Sequence, residues 1–389
     1  MKILVASHTY IVDLNLEKLR SLAKLDPSIE VTVVVPKRWR PGGVQNKMIE
    51  TRAIEEGNFR VAPVSNFSQN NQALLSFGSD FIGLLNRFRP DIIQVEQGSK
   101  SLGYAQAIAL NQLLGLRAKN IFFTWWNLPY TTKFPISALE AYNLRNTDGL
   151  IAGNQDAVDI LRERGYDGAK IVLPQLGVDE TLFSPRSLPD LARSNGIESD
   201  EFTIGFVGRF VAEKGILTLI KAVSGLNGRW KLLLLGRGDL KEKILAEARA
   251  AGIGDRIVLV ESVPHDRVPD YINLLDALVL PSETTYGVKT LTAVGWKEQF
   301  GHVLIEAMAC KVPTIGSDSG EIPHVIGDAG LIFPEGDASA LRQNLQTLID
   351  KPDLAREIGD RGYRRAMTRY TNDALAREQF AFYQTLLGC

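Results

Sequence analysis

The sequence predicts an α/β protein built from two doubly wound parallel-sheet domains. Three observations predict it: short apolar runs rich in β-branched residues alternate with helical stretches, the alternation comes as two separate series, and a proline-bearing polar stretch divides them. The length of 389 residues, 45% of them hydrophobic, suits two cores at about 100–200 residues per domain. The chain opens with one lysine ahead of the run Ile3–Ala6, which soon meets His8 and Asp13. That run is too short for a signal peptide or a membrane span and reads as a buried first strand. Val31–Val35, Asp91–Val95, Asn120–Thr124 and Gly149–Ala152 continue the first series, with Leu16–Leu25 and Leu102–Leu114 as helices between them. The second series is Phe202–Val207, Trp230–Leu235, Ile257–Val260, Ala277–Leu280 and Val312–Ile315. Runs without alternation are buried on both faces, as in parallel sheets covered by helices. Between the series, Leu182-Phe183-Ser184-Pro185-Arg186-Ser187-Leu188-Pro189 reads as a linker. The expected domains are residues 1–185 and 186–370, followed by a closing helical segment, 371–389, that packs back on the first domain.

Composition removes several function classes. Lys and Arg number 44 against 45 Asp and Glu, so the long-range field of a nucleic-acid binder is missing. Two cysteines, Cys310 and Cys389, make no disulfide framework and suit a reducing, cytoplasmic setting. Neither Gly205-Phe206-Val207-Gly208 nor Gly236-Arg237-Gly238, with Lys241 where a third glycine belongs, completes a dinucleotide fingerprint, and no Walker loop occurs. Function is therefore sought in loops that follow strands, at the carboxyl ends of two facing sheets, with the active site in the cleft between them.

The stretch Trp296–Cys310 places Glu298 and Glu306 eight residues apart around Gly301. A helix starting near residue 301 would offer unpaired amides to phosphate oxygens. Carboxylates such as Glu298 and Glu306 suit vicinal hydroxyls, from which each accepts hydrogen bonds. The bland alternative is a solvated Glu298 and a Glu306 paired to some base. After the strand Phe202–Val207 come Gly208, Arg209 and Lys214: a glycine that lets a ligand approach the backbone, and two cations for one dianionic group. Here the bland alternative is Arg209 paired with Glu213 and Lys214 in solvent.

Taken together, Gly208-Arg209-x4-Lys214-Gly215, Glu298-x7-Glu306 around Phe300-Gly301, and Gly177-Val178-Asp179-x3-Phe183-x-Pro185 resemble the family 4 retaining glycosyltransferases of the GT-B fold. The resemblance runs throughout the chain. Phe123–Asn127, Ala152–Asn154 and Pro174–Asp179 are similar to bacterial members that build surface polysaccharides. The resemblance implies a metal-independent, retaining hexosyltransferase with no cofactor, using a nucleotide-diphosphate sugar (UDP first, GDP next) and a carbohydrate or lipid-linked acceptor. By it, Arg209 and Lys214 would offset charge on the leaving diphosphate, Glu298 would hold a donor-sugar hydroxyl and Glu306 the ribose. Gly208 and the backbone of Phe300, Gly301, His302 and Val303 would meet sugar and phosphate, and Val263, in Ser262-Val263-Pro264, would meet the base.

The sequence departs from the family where many members carry a histidine two residues after Thr124: here Trp125 and Trp126 follow, and Asn127 is the nearest polar group. The first loop, Ser7-His8-Thr9-Tyr10, stands where many relatives have paired glycines. His8, Trp125, Trp126 and Asn127 are the acceptor-side candidates, with an indole able to stack on a sugar face. The four histidines are scattered, without cysteines at ligand spacing, and Asp-x-Asp is absent, so no metal site is expected. His302 has an outward helix-start position as its bland reading. Lys37-Arg38-Trp39-Arg40 would touch an anionic membrane weakly, at the inner face, or an acidic acceptor, or else be a solvated loop. The segment Tyr286–Gly295 reads as a flexible loop near the donor. Two readings compete with transfer: a nucleotide-sugar epimerase of related fold, and a non-catalytic nucleotide-sugar-binding protein.

Overall fold

In a computed structural model describing residues 1–41, 47–289 and 292–388, the chain divides into two α/β units. The first holds Met1–Gly177 and the C-terminal segment from Asn372; the second is Val178–Thr371.

The strands of the first unit are β1 (Lys2–Ala6), β2 (Glu30–Pro36), β3 (Arg38–Trp39), β4 (Ile49–Glu50), β5 (Ile54–Glu56), β6 (Phe59–Val64), β7 (Ile92–Val95), β8 (Lys119–Thr124), β9 (Gly149–Ala152) and β10 (Ala169–Val172). Eight of them form one sheet in the order β10-β9-β8-β7-β1-β2-β6-β5. All its pairs are parallel except β5 with β6, while β3 and β4 make a separate antiparallel ladder. The unbroken apolar run of β1 follows from burial on both faces: Leu4 and Ala6 join one core, Ile3 and Val5 the other. The helix Asn372–Leu387 packs on the helix Glu17–Lys24, and its Leu375, Ala376 and Tyr383 complete the core that holds Ile3 and Val5.

The second unit contains β11 (Phe202–Val207), β12 (Trp230–Leu235), β13 (Ile257–Val260), β14 (Ala277–Leu280), β15 (Thr285–Lys289), β16 (Val294–Trp296), β17 (Thr314–Ser317) and β18 (Leu331–Phe333). Six form an all-parallel sheet in the order β13-β12-β11-β14-β17-β18. Strand order reverses between β1 and β7 in the first unit and between β11 and β14 in the second, the places where doubly wound sheets receive ligands.

Two expectations change. The boundary lies at residues 177/178 rather than near 185, because Val178 donates its amide to Tyr370 O, Asn273 Nδ2 donates to Ser184 O, and Arg186 N donates to Asn273 Oδ1. Phe183 is only 3% exposed, with its ring edge-on to His265, so this stretch belongs to the second unit. The segment Tyr286–Gly295 is not a plain loop: β15 and β16 pair antiparallel, Thr285 opposite Trp296 and Lys289 opposite Val294. Its β-branched and aromatic residues suit a ladder. Thr290 and Leu291 of that segment, and Cys389, lie outside the described residues.

Candidate active site

Within the second unit, the reversal between β11 and β14 sends two loops out side by side. The loop after β11 carries Gly208, Arg209 and Lys214; the one after β14 begins with Pro281 and Ser282. Gly208 has φ +156°, and a Cβ there would meet only the Phe206 ring, at 3.5 Å. Its conformation, not crowding inside the fold, demands glycine, and it leaves the backbone open to an approaching group.

Both loops meet at Glu298, which is 6% exposed. Lys214 Nζ lies 2.5 Å from Glu298 Oε2, and Ser282 Oγ donates to the same oxygen at 2.7 Å. The ammonium also lies 5.0 Å from the centre of the Trp296 ring. From the loop after β17, Glu321 donates its amide to Glu298 O at 3.2 Å, fixing the backbone too. Neither bland alternative describes this pair: Lys214 is not in solvent and Glu298 is not solvated. For Arg209 the bland geometry is present, with Nη2 3.6 Å from Glu213 Oε1, yet its side chain is 63% exposed. Such a surface pair is worth little, so the guanidinium can be taken by a stronger anion.

Gly301 caps the helix His302–Ala309 in the left-handed region, φ +86°, where a Cβ would meet Leu280 Cδ2 at 2.6 Å. Phe300 is buried against Tyr370 and His302, with ring centres 5.7 and 4.8 Å apart. Only the Phe300 backbone can therefore serve a ligand, and His302 lies on an aromatic ring instead of pointing outward. Val303 and Val263 are half-buried, the latter after β13. Glu306, in the second turn of that helix, makes no hydrogen bond or ion pair through its carboxylate among the described residues. Burial alone pushes its carboxyl up to about 7, as expected where nothing compensates desolvation. A ligand hydroxyl would supply the missing donor.

The acceptor-side candidates separate. His8 lines a cavity of about 690 Å³ in the first unit together with Trp39 and Arg40; Trp125, Trp126 and Asn127 are not part of that lining. Trp125 packs edge-on to Phe123 and gives its Nε1 proton to Gln175 Oε1 at 3.1 Å. Trp126 donates to Leu128 O at 2.6 Å, with Lys100 Nζ 4.8 Å from its ring centre. Asn127 is 3% exposed. Internal contacts thus engage both indoles through their N–H groups. Sequence reasoning gave no role to Ser282 or Trp296, although Leu280-Pro281-Ser282 at a strand end pointed there. It also passed over Asn70, Asn71 and Gln72 of the cavity, whose only signal was a run of amides. Among the described residues no group of three or more His, Cys, Asp or Glu is gathered to hold a metal, and no helix is long and apolar enough to cross a membrane.

Part of the chain that carries this arrangement is similar to a known family. Residues 189–365 match the model of glycosyl transferases group 1. N-acetyl-alpha-D-glucosaminyl L-malate synthase of Bacillus anthracis is 28% identical over 214 residues, 54% of this chain and 52% of that protein. The chain spans about half the length of the first curated relatives it matches. Among solved structures, sucrose-phosphate synthase of Thermosynechococcus elongatus superposes with a TM-score of 0.69 at 20% identity, covering 100% of this chain and 99% of that one. HepE of Anabaena, in complex with UDP and glucose, gives 0.68 at 16% identity over 100% of both chains. These likenesses show the GT-B fold, and residues 189–365 are similar to glycosyl transferases group 1.

Proposed function

We propose that this chain transfers a hexose-type sugar from a nucleotide-diphosphate donor, UDP first, to a hydroxyl acceptor, with retention at the anomeric carbon and without a metal ion, in surface polysaccharide or glycoconjugate synthesis. The observation that carries this reading is the assembly at the β11/β14 reversal: Lys214 fixed by Glu298, which Ser282 also holds, an exposed Arg209, and a Glu306 carboxylate without a partner among the described residues. The match of residues 189–365 to glycosyl transferases group 1 and the UDP bound by HepE support the choice of donor class.

In this reading the bond between the anomeric carbon and the diphosphate oxygen breaks while the acceptor oxygen bonds to the same face of that carbon. The acceptor proton passes to the leaving phosphate. Lys214 and Arg209 stabilise the charge that grows on the diphosphate, a contribution that matters because both cations are in place before reaction. Glu298 holds Lys214 and presents its remaining acceptor capacity to a sugar hydroxyl. Glu306 accepts from the ribose, and the helix starting at His302 presents its positive end to phosphate.

The test is nucleotide release from UDP-, GDP- and ADP-sugars with excess EDTA, with the product anomer read by NMR, beside Glu306→Ala. Slow release from one donor that persists in EDTA, fails in the variant and gives a retained product supports the reading. Isomerised nucleotide sugar without transfer would establish the epimerase instead. Absence of donor binding, or binding only with metal, overturns the assignment.

A further inference from the structure

The cavity of the first unit has a composition of its own. It opens at the carboxyl ends of β1, β2 and β6, has a volume of about 690 Å³, and falls in the size range of small-molecule pockets. Trp39, 3% exposed, lies under the His8 ring with centres 5.0 Å apart and forms an apolar wall. At its mouth stand Arg40, Asn70 and Gln72, all exposed. Asn70 and Gln72 make no side-chain hydrogen bond, and Arg40 makes no ion pair, among the described residues. His8 Nδ1 is buried without a hydrogen-bond partner there. Burial lowers the His8 pKa to about 4, so at neutral pH the ring offers a hydrogen bond rather than a charge. Among the described residues no carboxylate lines the cavity. The nearest acid along the first loop, Asp13, is engaged by Arg20 at 2.8 Å.

Primary amides both donate and accept, as sugar hydroxyls do. A guanidinium with no acid near it matches a carboxylate or phosphate through two parallel hydrogen bonds. We infer that this cavity binds the acceptor, and that the acceptor is a saccharide carrying a negative group, a uronate carboxylate or a phosphate, seated on Arg40 while Asn70, Gln72 and His8 take its hydroxyls. The inference rests on the glycosyltransferase reading and adds to it the chemical class of acceptor. An uncharged sugar would forgo the contact with Arg40.

The experiment is a glycan array with neutral, uronate-bearing and phosphate-bearing saccharides, probed with the full chain under saturating UDP, beside a calorimetric titration of UDP. Wild-type protein should be retained on acidic glycans, and the two acidic sets distinguish carboxylate from phosphate. Arg40→Gln should weaken that retention at least about tenfold, the scale of a lost charge-assisted contact, with UDP affinity unchanged. Gln72→Ala, which keeps the cation, should weaken acidic and neutral glycans alike. Equal retention of neutral glycans, acidic retention that survives Arg40→Gln, or no retention of any glycan by protein that binds UDP overturns this inference alone. Protein that binds no UDP overturns the transferase reading beneath it.

Discussion

Glu140, in the first unit, accepts hydrogen bonds from Ser99 at 2.8 Å and from Tyr130 and Arg164, whereas the Glu306 carboxylate in the second has no such donor among the described residues. Burial pushes both carboxyls up, but at Glu140 the donors outweigh it and hold the group below the usual carboxylate range. At Glu306 burial stands alone and the value reaches about 7. Desolvating a charge without partners is costly, so a fold keeps such a group only where something else answers it. Glu140 is answered by its own chain and acts as a fixture joining the loops after β7 and β8. In the proposed reading Glu306 would be answered by the nucleotide donor.

The largest effect separates these two on stability. Glu140→Ala leaves the Arg164 guanidinium without its acid and should destabilise the first unit by about 3–5 kcal/mol, read by urea unfolding. UDP affinity of the folded protein should hold. Were Glu306→Gln to unfold as readily, the contrast between fixture and ligand group would fail.

Lys214 and Glu298 combine both kinds, a partnered pair standing at the proposed donor site. Lys214→Ala should lower kcat/KM by about 10²–10³, the range for removing one preorganised donor to a developing charge. Glu298→Ala should fall similarly, and the double variant little further, because the two act as a unit. Losses that simply multiply would mean that the pair is incidental.

Glu306 makes the comparison titratable. Its folded pKa lies above the unfolded value of about 4.3, so the folded state holds the extra proton and stability falls as pH rises from that value to about 7. Ribose hydroxyls donate to the ionised form, so UDP binding should release a proton. Affinity should therefore rise with pH up to about 7, by as much as about tenfold per unit. Calorimetry in buffers of different ionisation enthalpy measures that proton, and Glu306→Gln should abolish both dependences while costing about tenfold in UDP affinity. A flat pH profile in the wild type would remove Glu306 from the nucleotide site.

These contrasts were legible in sequence only in part. Ile3–Ala6, Gly149–Ala152 and, in the second unit, Phe202–Val207, Trp230–Leu235 and Ala277–Leu280 announced themselves because both faces are buried, which writes a continuous apolar run. Phe59–Val64 did not, since Pro63 and Arg60 interrupt it, nor did β10 and β18, short strands at sheet edges. Arg209, Lys214, Glu298 and Glu306 could be named from spacing. Their states could not: that Lys214 is clamped by Glu298 while Glu306 has no partner among the described residues depends on which loops the strand reversal brings together. The indoles at 125 and 126 show the same limit, because Gln175 and Lys100, which engage them, are far apart in the chain.

The smallest effect falls on Arg209 and Glu213. Their atoms are 3.6 Å apart, with Arg209 mostly in solvent, and an exposed pair of this kind contributes under about 1 kcal/mol. Glu213→Gln keeps the backbone carbonyl that accepts from Glu283 N at 2.9 Å, so the loop should stay in place and stability should shift by less than about 0.5 kcal/mol. What changes is the competition for the guanidinium. Glu213 is the acid that a diphosphate must displace, so the variant should bind UDP slightly more tightly while UMP, with one phosphate fewer, gains less. The difference should shrink as salt rises, because screening weakens an exposed pair more than a buried one. A variant that binds UDP more weakly would instead make Glu213 the group that aims Arg209, moving this pair from the dispensable side of the comparison to the side of Lys214 and Glu298.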